Sequence, residues 1–143
     1  MPNIYAFQDS RMAGNTTANY LTVVGGETAW PGARGLPTAE VTDALAETIL
    51  VVENRGANVH WMEPRDLTLA DIDVRLNSPA GVSSPHDTPA IATANGAVHR
   101  LTARLRPEVL RALLTARGGE RLVDGEGGWE LLADGRLRPR VAE

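Results

Sequence analysis

Cysteine is absent from the 143 residues, so disulfide staples, thiolate zinc sites and cysteine nucleophiles are excluded. The compartment stays open, because an exported domain of this size can fold without disulfides. Lysine is absent too; all 14 basic residues are arginine, which excludes Schiff-base and lysine general-base chemistry. One Phe, two Tyr and three Trp leave few platforms for stacking bases or sugars. No run approaches the ~20 apolar residues of a membrane-spanning helix, and the first residues lack the basic-then-apolar pattern of a signal peptide. A formal net charge of −4 speaks against a general nucleic-acid binder.

What is present suits one globular domain: 43% hydrophobic and 22% charged residues, at a length able to bury a conventional core. Residues 1–17 are polar and irregular and read as a flexible leader, leaving 18–143 as the domain. Tyr20 to Val24 reads as a strand stopped by Gly25-Gly26. The Pro/Gly-rich stretch 30–37 is a loop, and Thr38 caps a short helix over 39–46. The continuous apolar run Thr48 to Val52 predicts a strand buried on both faces. Glu53-Asn54-Arg55-Gly56 is a turn, and Val59 to Met62 starts another strand that Pro64 stops.

Asn77 to Pro89 is rich in Ser, Pro, Gly and Asp and reads as a long irregular loop, the kind that often carries function. Asn95-Gly96 predicts a type I′ turn between strands 90–94 and 97–101, with Thr93 opposite Val98 and Ala92 opposite His99. Pro107 opens the clearest helix, expected to end near Arg117 before Gly118-Gly119, with Val109, Leu110, Leu113 and Leu114 on its apolar face. Trp129 to Leu137 reads as a terminal hairpin, spanning 129–138 and turning at Asp134-Gly135. The fold class is therefore α+β: a mainly antiparallel sheet with one clear C-terminal helix.

Several pieces, taken in order, carry a family likeness. They are Asn19 to Gly25, Thr28-Ala29-Trp30-Pro31-Gly32, Val41-Thr42-Asp43, Glu47 to Glu53 and Val59-His60-Trp61-Met62-Glu63-Pro64-Arg65-Asp66-Leu67. Ser84-Pro85-His86, Asn95-Gly96, Pro107 to Leu114 and Gly118-Gly119-Glu120 complete the set. Over Ala18 to Glu120 the chain resembles the C-terminal head of bacterial pilin-like proteins of unknown function. These carry a prepilin-type methylated N-terminal helix and a signature of His, about nine residues, then Asp-Gly.

The resemblance implies a pilin-like head, similar to type II secretion pseudopilins, that is exported to the cell surface and not catalytic. Its implied partners are other copies or other pilin-like subunits, with membrane contact only through an anchoring helix that this sequence does not contain. Either the chain is trimmed to its head, the favoured reading, or it is a natural variant without the anchor. Signature and structural positions carried over are His86, Asn95, Gly96, Trp61, Pro64 and Trp30. Two departures matter. The His86-to-Asn95 spacing is one residue short with Asn in place of Asp, and Ala44-Leu45-Ala46-Glu47 stands where the family has Gly-Thr-Ser-Asn, favouring helix.

Weighed as chemistry, the three histidines lack zinc-ligand spacing. His60 and His99 are expected on strand surfaces, and the His86 ring is expected to bond loop backbone. Asp71 and Asp73, with Asp66 upstream, and Asp87 in its loop are weak calcium candidates, lacking the glycine and distal glutamate of an EF-hand loop. No nucleophile elbow or phosphate loop is present, so no catalytic residue and no cofactor is assigned. Arginines around the last helix (100, 104, 106, 111, 117, 121) read as a solvated face or a docking surface for an acidic partner or the next subunit. The alternative function is a small-ligand or calcium-binding module built on loop 77–89.

Overall fold

Among the described residues the turns and apolar runs fold into short strands and one α-helix. The computed structural model describes residues 16–102, 105–119, 129–131 and 136–139, the last two stretches as backbone. In chain order come β1 (Thr17–Ala18), β2 (Tyr20–Leu21), β3 (Val23–Val24), β4 (Ile49–Glu53), β5 (Val59–His60), β6 (Leu67–Thr68), β7 (Ala90–Thr93) and β8 (Val98–Leu101). Helix α1 (Pro107–Leu114), β9 (Trp129–Leu131) and β10 (Arg136–Pro139) follow. The main sheet has the order β2-β4-β7-β8-β10-β9 and is antiparallel except where β10 runs parallel to β8. Two small pairs flank it: β1 with β5, antiparallel, and β3 with β6, parallel. The fold is α+β, with mainly antiparallel sheets. Among the described residues no helix is long and apolar enough to cross a membrane.

Side-chain alternation sets the core. Leu21, Val52, Ile91 and His99 are partners in one row across β2, β4, β7 and β8, and all four are buried. Val109, Leu110, Leu113 and Leu114 recur at the helical period and bury the same face of α1 in the cluster that holds Val52, Ile91 and Leu101. Pro107 at the first helical position needs no amide partner, and the amides of Val109 and Leu110 both donate to the Arg106 carbonyl.

Several local expectations need correction. The run Tyr20 to Val24 is not one strand, because Thr22 breaks it: its amide donates to the Asp66 carboxylate and its carbonyl accepts from Leu67, which sends Val23–Val24 to a different sheet. The short helix over 39–46 is two single 3-10 turns, Thr38–Glu40 and Leu45–Glu47. Between them the Thr42 and Asp43 amides donate to the Ala116 carbonyl instead of to a helical neighbour. Helix α1 stops at Leu114, three residues early, because Thr115 pairs with Thr28 and the Ala116 amide donates to Glu27. The Thr48–Val52 run owes its unbroken apolarity to a bulge between Ile49 and Val51, not to burial on both faces: Leu50 and Val51 are only half-buried.

Thr17 lies in β1, inside the expected leader, whose residues 1–15 are outside the described residues. The expected terminal hairpin corresponds to β9 and β10, whose Leu131 and Leu137 are partners; its Asp134-Gly135 turn lies outside the described residues.

The hairpin at Asn95 forms, with a different turn. The Gly96 amide donates to the Thr93 carbonyl at 2.9 Å, and only Gly96 takes a positive φ, of 85°. This is a type I turn closed by a glycine bulge, a three-residue loop in place of the two-residue I′ turn. The register therefore shifts by one, pairing Ala92 with Val98 and Ile91 with His99. A one-residue shift exchanges the faces of a strand. His99 accordingly points inward and is buried, while Val98 points outward and is 69% exposed.

Candidate functional site

Loop 77–89 is irregular, as expected, yet it is fastened along its length. Asn77, at φ 64°, donates from Nδ2 to the Asp87 carbonyl (2.6 Å) and accepts from the Ser84 amide at Oδ1 (3.1 Å). Ser83 and Ser84 are buried; the Ser83 hydroxyl oxygen accepts from the Arg55 amide, and that of Ser84 accepts from the His86 amide. Beneath them lies Asn54, almost fully buried. Its Nδ2 donates to the carbonyls of Gly81 (2.6 Å) and Pro79 (3.1 Å), and its Oδ1 accepts from the amides of Gly56 and Ala57. Its backbone exchanges bonds with buried Asn19, whose carbonyl accepts from the Asn54 amide and whose Nδ2 donates to the Asn54 carbonyl. Sequence reasoning took Asn54 for a turn residue and missed this role. The available signal was Asn two residues before Gly, the pattern in which an Asn side chain bonds backbone further along.

His86 sits at the exposed crest of this loop. Its backbone carries the structure: the amide bonds Ser84, and the carbonyl accepts from Thr88 at 2.7 Å. Among the described residues its ring makes no hydrogen bond, which corrects the expectation that the ring braces the loop. His86 precedes β7 and Asn95 follows it, and a four-residue strand spans roughly 13 Å. The two halves of the signature thus lie at opposite ends of β7 and do not form one site.

At the Asn95 end, the side-chain oxygen is engaged. Oδ1 accepts from the Thr93 hydroxyl at 2.7 Å and from the Ala97 amide at 3.1 Å, and the Asn95 amide donates to the Leu45 carbonyl. His99, expected on a strand surface, is buried, and its Nδ1 meets no partner among the described residues. Burial lowers its pKa from the ordinary value by disfavouring the imidazolium.

Trp30 and Trp61 are both partly exposed and lie on different loops. The Trp30 indole donates to the Leu50 carbonyl at 2.8 Å, capping the backbone at the β4 bulge. Trp61 leans on His60 with ring centroids 6.4 Å apart, in an exposed loop that also holds Pro64 and the Glu63–Arg65 ion pair. Met62, next in sequence, is 70% exposed.

The calcium candidates are already partnered or apart. The Asp71 carboxylate accepts from the Thr68 hydroxyl, and the Arg75 guanidinium grips both oxygens of Asp73, holding that carboxyl far below the usual range. Asp87 lies on the separate loop tied to Asn77. Among the described residues no three His, Asp or Glu side chains gather as a metal site. Of the arginines flanking α1, Arg106 pairs with Glu108, and Arg117 pairs with Glu40 across the chain. Arg104 and Arg121 lie outside the described residues.

No protein-family profile, no curated protein and no solved structure matches this chain. The likeness to pilin-like heads therefore rests on the order of the sequence pieces.

Proposed function

We propose that this is a non-catalytic, pilin-like head domain, working outside the cytoplasm in assembly or surface contact. The observation that supports this reading is the outward face of the main sheet. Val51, Ala92 and Val98 are partners in one row on that face, and the adjacent row pairs Tyr20 with Glu53 and Ala90 with Arg100. Val98 is largely exposed, Tyr20 is exposed, and the two alanines are half-buried. An apolar row with a small residue at its centre, bordered by Glu53 and Arg100, suits close contact with another surface. Among the described residues Arg65, Arg75, Arg106 and Arg117 each pair with a carboxylate, and no three His, Asp or Glu side chains converge, an arrangement that suits a building part.

The test is concentration-dependent sedimentation of the domain and of Val98→Arg. Self-association or capture of a pilin-like subunit, lost in the variant, is the expected result. A domain that binds nothing through this face, and whose melting temperature rises with calcium, replaces this reading with an ion-binding module on loop 77–89.

A further inference from the structure

We propose that Asn95 is a site of spontaneous covalent modification, at which the Gly96 nitrogen attacks the Asn95 side-chain amide while Thr93 and Ala97 hold its oxygen. Of the seven asparagines, Asn95 alone is followed by glycine. Both residues are exposed, so water reaches them, and beyond the adjacent residues no atom lies within 4 Å of where a Gly96 Cβ would stand. The attacking nitrogen donates to the Thr93 carbonyl at 2.9 Å, a bond that it must release to react.

The Oδ1 environment is the decisive feature. When an amide carbon is attacked, negative charge develops on its oxygen, and fixed donors aimed at that oxygen lower the barrier. Here the Thr93 hydroxyl and the Ala97 amide already stand at 2.7 and 3.1 Å from it. Ala97 also fixes which atom is oxygen, because its N–H requires an acceptor. Thr93 is buried, and of the two acceptors its hydroxyl reaches, Asn95 Oδ1 at 2.7 Å is nearer than the Ala97 carbonyl at 3.3 Å.

The step balances with water as the co-reactant. The Gly96 nitrogen gives up its bond to the Thr93 carbonyl, loses its proton to solvent base and forms a bond to Asn95 Cγ. The Cγ–Nδ2 bond breaks as Nδ2 takes a proton from solvent, ammonia leaves, and a five-membered succinimide remains. Water then opens the ring at either carbonyl, leaving an aspartyl or an isoaspartyl residue at position 95. The aspartyl product keeps an acceptor for Thr93 and Ala97 and gains a charge, so the turn persists with stronger bonds. The isoaspartyl product lengthens the main chain by one carbon at the turn, which breaks the bond from the Asn95 amide to Leu45 and the register of β7 with β8.

The experiment incubates the folded chain in warm, mildly alkaline buffer and maps its peptides by mass spectrometry, with the urea-unfolded chain in parallel. Conversion confined to Asn95 is expected, faster at higher pH, several-fold slower in Thr93→Val and restored in Thr93→Ser. Complete protection of Asn95 in the folded chain overturns the site. Thr93→Val converting as fast as the parent, or faster, overturns the role of the hydroxyl. If Thr93→Val does not fold, the ratio of folded to unfolded rates decides: comparable rates support the donors, and a folded rate far below the unfolded one refutes them.

Discussion

The sheet-and-helix part of this molecule and its loop part, residues 54–89, share one core through Leu69 and Val82 but differ in what satisfies their backbone. In the first, Val52, Ile91, Leu101, Leu110 and Leu113 exclude water on one continuous face. In the second, backbone groups are satisfied one by one by Asn54, Asn77, Ser83 and Ser84. Apolar burial is non-directional and tolerates adjustment, whereas a hydrogen bond demands position and leaves a desolvated group when removed. The first part should therefore respond to lost volume, and the second to lost polar atoms or to added ones that block close approach.

The largest effect expected from this contrast is in the core. Leu110→Ala removes a side chain with no exposed surface from the centre of the helix–sheet contact. It should cost about 4 kcal/mol, within the range for leucine cavities, and lower the melting temperature of the whole domain. Asn54→Ala should cost about 3 kcal/mol, because it strips partners from the Gly56 and Ala57 amides and the Gly81 and Pro79 carbonyls. Its signature differs: hydrogen exchange should accelerate over 77–89 before it does in β7 and β8. Uniform acceleration across the chain would erase the distinction between the two parts.

Gly81→Ala tests close approach. A Cβ at Gly81 would overlap the Asp73 carbonyl oxygen, where the two segments bridge as parallel partners. Because the overlap is with backbone, no rotamer relieves it; the short turn around Asp73 must retreat instead. We expect a loss of about 2 kcal/mol by chemical denaturation, as for overpacking. A loss no greater than that of an exposed glycine such as Gly35, which has open space around it, would contradict the close approach.

The same contrast explains what was legible in the sequence. The helix announced itself, since the 3.6-residue period of α1 is a direct imprint of burial, whereas β8 buries His99 and exposes Val98 against the apolar-inward pattern. The polar part did not announce itself: Asn54 and Asn19 act over 25 to 35 residues of separation, and nothing local distinguishes such an asparagine from a turn former. The hairpin shows a finer limit. Asn-Gly predicts a tight turn but not its length, and the Asn95 side chain, bonded to Thr93 and Ala97, selects the three-residue loop. One residue of loop length then decided that His99 is buried. Pairing of β10 with β8 left no local trace either, because parallel partners carry no turn between them.

His99 supplies the smallest and most selective test, because it places a polar ring in the apolar row of Leu21, Val52 and Ile91. Burial lowers its pKa, so the unfolded chain binds a proton more readily than the folded one. Its contribution is therefore fully present above the unfolded value of about 6.5 and is lost as pH falls below it. Asp73, also with a depressed pKa, contributes above the ordinary carboxylate value near 4 and loses that contribution only at lower pH, so the two windows separate. His99→Leu should flatten the decline in stability between about pH 6.5 and pH 5. It should not weaken the domain at neutral pH, since it also removes the unpartnered Nδ1. A slope unchanged in His99→Leu, measured by denaturant unfolding across that interval, would mean that the inward register of β8 does not hold His99 away from water.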